Sequence, residues 1–359
     1  VLDVSLHGLF YNDLLRGIDL TFPRGTHTAI AGPPAAGAST LLRLISGELR
    51  PDRGEIRIGT RVVNDLKPRR RPLLSVSSDA AVPRRWSVRH ALVAAVRQRS
   101  LDRIDRQREY ELAAVKWELQ PLLERPVASL SSSEATLLNL ARIELLRPGI
   151  VVADRPLERL NPSRLEDLAD RFYRALRVIG ATVISVPSSR FELGLTDSVA
   201  VLRDGQIVQH GSSAHIHARP ADEAAAHATG AVNIVPINIR GGLVESPIGS
   251  WEIGSAPFQG TGVALVRPEE FSVAAPGQDS DLIFGIEEAS FAEGRWLATG
   301  FVTGGLALRV ALPPGTEIHK GKLLPLRYDG SRFRVIRREG PGPAPGVPTD
   351  IVPPLGETR

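Results

Sequence analysis

The stretch Gly32-Pro33-Pro34-Ala35-Ala36-Gly37-Ala38-Ser39-Thr40 holds the residue types of a phosphate cradle. Its spacing is that of a phosphate-binding loop, G-x-x-x-x-G-K-[ST], with alanine in the lysine's place. In such a loop, backbone N–H groups and a helix N-terminus surround the phosphates. The lysine ammonium reaches the β- and γ-phosphates, and the Ser/Thr hydroxyl holds Mg²⁺. Gly32 and Gly37 keep the backbone open, and Ser39 and Thr40 keep their hydroxyls, but Ala38 has no charge to offer. A second group is Leu130-Ser131-Ser132-Ser133-Glu134. It opens a helix whose Leu137, Leu138, Ala141 and Leu145 fall on one face. Ser131 to Glu134 fits an S-x-x-E capping box, and the same helix start can offer backbone donors and three hydroxyls to an anion. A third candidate is Asp154, which follows the apolar run Ile150-Val151-Val152-Ala153. Its carboxylate ends a predicted buried strand and stands next to the fixed cation Arg155.

These groups need strands and helices to position them. Strand candidates are Thr26–Ala31, Leu74–Ser77, Ile150–Ala153, Thr182–Val186 and Ser198–Leu202. Helix candidates are Thr40–Ser46, Ser87–Gln98, Glu134–Leu146 and Pro162–Val178. Their alternation predicts an α/β domain with a mostly parallel sheet. Arg203-Asp204-Gly205-Gln206 predicts a hairpin turn between Val199–Leu202 and Ile207–Gln209. After about Gly230 the pattern becomes short alternating strands with frequent Gly and Pro, which predicts a small all-β domain, sandwich or barrel.

Length and composition set outer bounds. The 359 residues are enough for two domains, and 42% apolar with 23% charged residues describes a globular chain. The first residues lack the basic start and apolar core of a signal peptide, and no run reaches the roughly 18 apolar residues of a membrane helix. Zero cysteines exclude disulfides and thiolate metal sites and fit a cytosolic setting. The net charge of +4 is modest for this length, and Lys67-Pro68-Arg69-Arg70-Arg71 is read as a solvated loop rather than a lipid or nucleic-acid contact. The absence of methionine has no physical account.

The ordered series of motifs resembles the ATP-binding subunits of ABC transporters over nearly the whole chain. The family signature is L-S-G-G-Q, then a helix, then apolar residues ending in D-E-P-L. Leu130–Glu134 and Asp154-Arg155-Pro156-Leu157 stand at those two places. Arg142 to Pro148 and Val199 to Gly211 are also similar to the family. Val266-Arg267-Pro268-Glu269-Glu270-Phe271 and Ala231–Pro236 resemble the C-terminal OB-like (TOBE) domain of maltose-type importer ATPases. The resemblance implies a P-loop ATP-binding domain over 1–230, with a helical subdomain at about 79–147. It also implies an OB-like regulatory domain over 231–339. The Pro/Gly-rich segment 340–359 is expected to be a disordered tail.

The resemblance also shows which chemistry is missing. Laid on this sequence, the phosphate lysine is Ala38 and the catalytic glutamate is Arg155. The histidine near the γ-phosphate is Ser188, the glutamine that senses Mg²⁺ is Ser78, and the aspartate beyond Leu160 is Asn161. Loss of lysine, base and histidine together is expected to abolish turnover at this chain's own loop. One alternative has Arg155 supplying part of the lysine's charge; the reading adopted from sequence leaves the loop without it. Binding parts remain in Gly32, Gly37, Ser39, Thr40 and Asp154, with Ser39 and Asp154 as weak Mg²⁺ ligands. Tyr11, or Phe10 beside it, stands where the family places an aromatic against adenine, and core packing explains either ring equally well.

The function implied is that of a degenerate ATP-binding subunit of a heteromeric importer for a carbohydrate, polyol or related solute. It would pair head to tail with a catalytically intact ATPase chain and supply Ser131, Ser132, Ser133 and Glu134 to the partner's ATP. It would dock on two transmembrane permease subunits at the cytoplasmic face of the membrane, with an extracytoplasmic solute-binding protein as an indirect partner. The alternatives are a slow but active ATPase and a non-catalytic regulatory or assembly subunit. A nucleic-acid role ranks last, because Trp251, Phe258, Trp296, Tyr328 and Phe333 are scattered and read as core.

Overall fold

The computed structural model describes residues 2–77, 82–253, 257–275, 277–292, 294–328 and 334–337. The chain forms two compact units, Val1–Thr229 and Gly230–Arg359. In chain order the first unit contains β1 (Val4–Tyr11), β2 (Leu15–Phe22), β3 (His27–Ala31), α1 (Ala38–Ser46), β4 (Arg53–Ile58), β5 (Arg61–Val62) and β6 (Leu74–Ser77). There follow α2 (Val88–Val96), α3 (Arg103–Lys116), α4 (Ser132–Leu146), β7 (Ile150–Asp154), α5 (Pro162–Ile179), β8 (Thr182–Val186), β9 (Ser198–Arg203), β10 (Gln206–Gly211), α6 (Ser213–Ala218) and α7 (Glu223–Thr229).

Two sheets organise this unit. One is antiparallel in the order β2-β1-β4-β5; the other has the order β10-β9-β3-β8-β7-β6. The latter is parallel except for the β9–β10 hairpin. In β7 and β8 the first four residues of each are buried, so these strands read as unbroken apolar runs rather than alternations. Asp154 pairs with Val186 on one side and Ser77 on the other, so the ends of β6, β7 and β8 lie at one edge. The hairpin turn puts Asp204 at φ 49° and Gly205 at φ 76°, the left-handed pair that a tight two-residue turn needs. α5 starts on the Asn161 side chain, which accepts a bond from the Ser163 N–H, and continues through Pro162. It buries Leu168, Ala169, Phe172, Tyr173 and Leu176 along one side and stops at Gly180 in the left-handed region.

Several features depart from the sequence reading, the short helices α6 and α7 among them. The antiparallel sheet formed by β1, β2, β4 and β5 was not among the candidate strands. Helix α3 was not among the candidate helices; its charged sequence buries only Tyr110, Ala113 and Ala114. The run Lys67–Arg71 is not wholly a solvated loop, because Arg71 is 4% exposed. Its guanidinium donates to the carbonyls of Leu44 and Ile45, each at 2.7 Å, and to Leu66 at 3.1 Å. It therefore closes the C-terminus of α1, where unpaired carbonyls and the negative end of the helix dipole favour a cation.

The second unit contains β11 (Asn233–Arg240), β12 (Leu243–Ser246), β13 (Gly249–Glu252), β14 (Gly260–Val266), β15 (Phe271–Val273), β16 (Leu282–Ala292), β17 (Arg295–Val302), β18 (Ala307–Leu312), β19 (Leu323–Tyr328) and β20 (Arg334–Arg337). They build two five-stranded antiparallel sheets, β13-β12-β11-β14-β20 and β15-β19-β16-β17-β18. Alternation sends Val235, Ile237 and Ile239 of β11 into the same core as Phe284, Val310 and Leu326. Trp251, Phe258, Trp296 and Tyr328 also pack on that core, whereas Phe333 lies outside the described residues. So does the Pro/Gly-rich segment 340–359. Among the described residues no helix is long and apolar enough to cross a membrane.

Candidate nucleotide-binding site

The loop between β3 and α1 is built on two glycines with different duties. A Cβ on Gly32 would lie 2.1 Å from the Leu202 carbonyl oxygen, so β9 approaches too closely for any side chain. Gly37 has φ 103°, and a Cβ there would meet Leu15 Cδ2 at 2.8 Å. Between them Gly32–Ala35 are exposed, and Ala35 takes a left-handed φ of 65°. Gly37 is the N-cap of α1 and contributes no side-chain bond, so no side chain caps the first N–H groups of the helix. Ala38 is partly buried against the core beneath, as is Tyr11. Phe10 is 40% exposed, and its ring lies over Gly17 of β2.

Beside this helix start, the Ser39 hydroxyl donates to Asp154 Oδ1 at 3.1 Å. Thus β3–α1 and β7 bring together the two oxygens that sequence analysis offered as Mg²⁺ ligands. Arg155 has a left-handed φ of 42°, and its N–H is fixed to the Val186 carbonyl at 2.9 Å. Its Nε lies 3.6 Å from the same Asp154 Oδ1, and its Nη1 lies 3.5 Å from Glu158. Thr40 stands in the first turn of α1, half-buried. Ser78 lies outside the described residues.

Ser188 sits just past β8, and its hydroxyl accepts the Leu157 N–H at 3.0 Å, tying together the segments after β7 and β8. Sequence analysis did not find the group that holds Ser188 in place. Glu192, 1% exposed, accepts the N–H groups of Ser188 and Ser189 at 2.7 and 2.8 Å. Its other oxygen accepts the Tyr173 hydroxyl at 2.8 Å. Burial pushes the Glu192 carboxyl above its ordinary range and the Tyr173 phenol well above its own. His27 of β3 stacks on Tyr173 with centroids 4.4 Å apart and bonds Ser185 at 2.8 Å. Burial outweighs the nearby Asp197 and lowers the His27 imidazole to about 4, so it is neutral at pH 7. Two of its partners, the Ser188 and Ser189 N–H groups, are local, and the Tyr173 hydroxyl comes from α5.

The start of α4 differs in kind. Ser131 is the N-cap, and its hydroxyl accepts the Glu134 N–H at 3.3 Å. Glu134 returns the bond by accepting the Ser131 N–H at 2.7 Å, completing the capping box. That backbone bond, with help from Arg125, holds the Glu134 carboxyl below its ordinary range. Ser133 donates its hydroxyl to the Arg159 carbonyl at 3.0 Å, while Ser132 is exposed.

Residues 15–158 match the family model described as ABC transporter. The chain is 30% identical to the sn-glycerol-3-phosphate import ATP-binding protein UgpC 2 of Agrobacterium fabrum, over 73% of each chain. It is 28% identical to the sulfoquinovosyl glycerol transport ATP-binding protein SmoE of the same organism, over 90% of this chain and 93% of that one. Among solved structures, cbiO1 from Clostridium perfringens, part of the ABC transporter complex cbiONQ, superposes with a TM-score of 0.53. That similarity covers 61% of this chain and 91% of the other at 21% identity, which speaks for the shared fold.

Proposed function

The chain belongs to the ATP-binding subunits of ABC transporters, and from that premise we propose that it is a subunit that does not hydrolyse ATP at its own phosphate loop. The observation that carries this reading is Arg155 beside Asp154, where a fixed cation contacts the carboxylate at the sequence position at which the family carries the base. Ala38 without charge and Ser188 engaged in holding Leu157 add to it. Such a chain pairs with a second, catalytically intact ATP-binding subunit. The pair docks on two transmembrane permease subunits at the cytoplasmic face of the membrane. The solute is a carbohydrate, polyol or related small molecule, delivered by an extracytoplasmic binding protein; the names of the two Agrobacterium relatives, for sn-glycerol-3-phosphate import and sulfoquinovosyl glycerol transport, support that class. The first unit is the ATP-binding domain, and the second, all-β unit is its OB-like regulatory domain.

In this reading the Ser131–Ser133 helix start faces the partner's ATP. Replacing the exposed Ser132 by Arg leaves the capping bonds in place but obstructs that surface. The complex of this chain, its partner and the permease subunits should then lose most of its ATP turnover, by about a hundredfold, the scale of one lost transition-state contact. Unchanged turnover would remove the proposed role in trans. The capping box favours a second reading, a non-catalytic regulatory or assembly subunit, because Glu134 already occupies that helix start as an anion. Turnover insensitive to Ser132→Arg but dependent on the presence of this chain is the result that reading expects.

A further inference from the structure

The oxygens beside the phosphate loop do not fit a Mg²⁺ ion. Ser39 and Asp154 supply ligands of the right element, since Mg²⁺ takes oxygens at about 2.0–2.1 Å in near-octahedral geometry. Asp154 Oδ1, however, already accepts the Ser39 hydroxyl and lies 3.6 Å from Arg155 Nε. A dication at that oxygen would share it with a guanidinium that stays charged at every physiological pH. The side chain cannot simply be carried away by its backbone, because the Arg155 N–H is bonded to the Val186 carbonyl at the end of β8. Among the described residues no group of three His, Asp or Glu side chains offers another metal position.

We infer that this loop binds the phosphates of a nucleoside di- or triphosphate without Mg²⁺, using Arg155 as the counter-charge in the metal's place. The inference rests on the nucleotide-binding reading of the loop given above. With Ala38 in the lysine position, two sources of positive potential remain at this site. One is the start of α1, which no side chain caps. The other is the Arg155 guanidinium, whose side chain is 50% exposed. Its contacts to Asp154 and Glu158, at 3.6 and 3.5 Å, are longer than a charge-assisted hydrogen bond. A phosphate group can offer, through two of its oxygens, the bidentate and shorter bonds that a guanidinium prefers. Asp154 then acts as the group that orients Arg155 rather than as a metal ligand.

The test is ATP binding to the purified full chain by calorimetry, in excess Mg²⁺ and in EDTA. The inference expects dissociation constants within about threefold of each other in the two conditions. It expects Arg155→Gln to weaken binding in EDTA by about tenfold or more, the loss of one charge-assisted contact. Arg155→Glu should make binding Mg²⁺-dependent by a similar factor. Thermal unfolding of each variant checks that the fold is retained. Three results overturn the inference: Mg²⁺ tightening wild-type binding about tenfold, Arg155→Gln binding as well as wild type, or no saturable binding in either condition. Turnover is followed in the same samples. Mg²⁺-dependent binding without turnover defeats only this inference, whereas turnover lost in Asp154→Ala defeats the non-hydrolytic reading itself.

Discussion

Helices α1 and α4 both begin where the family presents a helix dipole to a phosphate, yet they begin differently. Gly37 caps α1 with backbone alone. Ser131 and Glu134 cap α4 reciprocally, and Arg125 lies 3.4 Å from the Glu134 carboxylate. The N-cap backbones differ, left-handed at Gly37 and extended at Ser131, but each start carries the same sense of helix dipole, so the dipole does not distinguish an anion site from an ordinary helix start. What distinguishes them is whether the chain has already supplied an anion. At α4 the carboxylate is internal, and an incoming phosphate must displace it or share its donors. At α1 the donors have no side-chain competitor, but the lysine that would secure the phosphate is Ala38.

Changing pH is the largest perturbation, and it acts on the buried cluster that supports the segment after β8. His27 titrates at about 4 in the folded chain against 6.5 for an ordinary imidazole. Between those values the unfolded chain binds the proton and the folded chain does not, so stability falls as pH drops from 6.5 towards 4. The shift corresponds to as much as about 3 kcal/mol across that window. Glu192 works in the opposite sense, because its folded pKa is raised; its contribution declines as pH rises above 4.5. Urea midpoints measured from pH 7 to pH 4 should fall, and His27→Gln should flatten the curve. A flat wild-type curve would show that this cluster does not govern acid stability.

Restoring a lysine sharpens the contrast at α1. Ala38→Lys should tighten ATP binding by about tenfold to a hundredfold, the range for a charged hydrogen-bond partner worth about 1.5–3 kcal/mol. No gain would mean that phosphates do not reach this helix start. At α4 the smaller test is Ser131→Ala, expected to cost about 1 kcal/mol of stability and leave ATP binding to this chain unchanged. A stability loss near zero would contradict the capping box as an energetic feature. Smaller again is the response of Glu134, whose lowered carboxyl contributes stability above pH 4.5 that is lost as pH falls through its folded value. Glu134→Gln should remove that part of the acid limb without altering the curve near neutrality.

The parallel strands were legible because β7 and β8 are unbroken apolar runs, and α5 because its buried face recurs with helical period between Asn161 and Gly180. The α1 loop was legible from glycine spacing alone. β1 was not, because alternation breaks at Gly8, whose φ is 52°, and the pairing with β2 shifts register between Leu6 and Leu9. α3 escaped because a helix with three buried side chains gives little periodic signal. Arg71 and Glu192 escaped for a shared reason. A charged residue in a polar stretch reads as solvated, and only the fold shows the groups that compensate its burial: the distant Leu44 and Ile45 carbonyls for Arg71, and the Tyr173 hydroxyl with the nearby Ser188 and Ser189 N–H groups for Glu192. In the same way, Arg155 was visible as a missing base, but its contact with Asp154 depends on three dimensions.

The pairing of Asp154 with Arg155 has an evolutionary consequence. A first step to glutamate at 155 would set two adjacent carboxylates beside the phosphates with no lysine at 38 to offset them. A first step to lysine at 38 would tighten the nucleotide while leaving no carboxylate at 155 to activate water. On the proposed non-hydrolytic reading the two positions are therefore coupled, because either change alone leaves the other half of the catalytic pair missing. On that reading, libraries of single substitutions should yield no variant with turnover, whereas a library varying 38 and 155 together could.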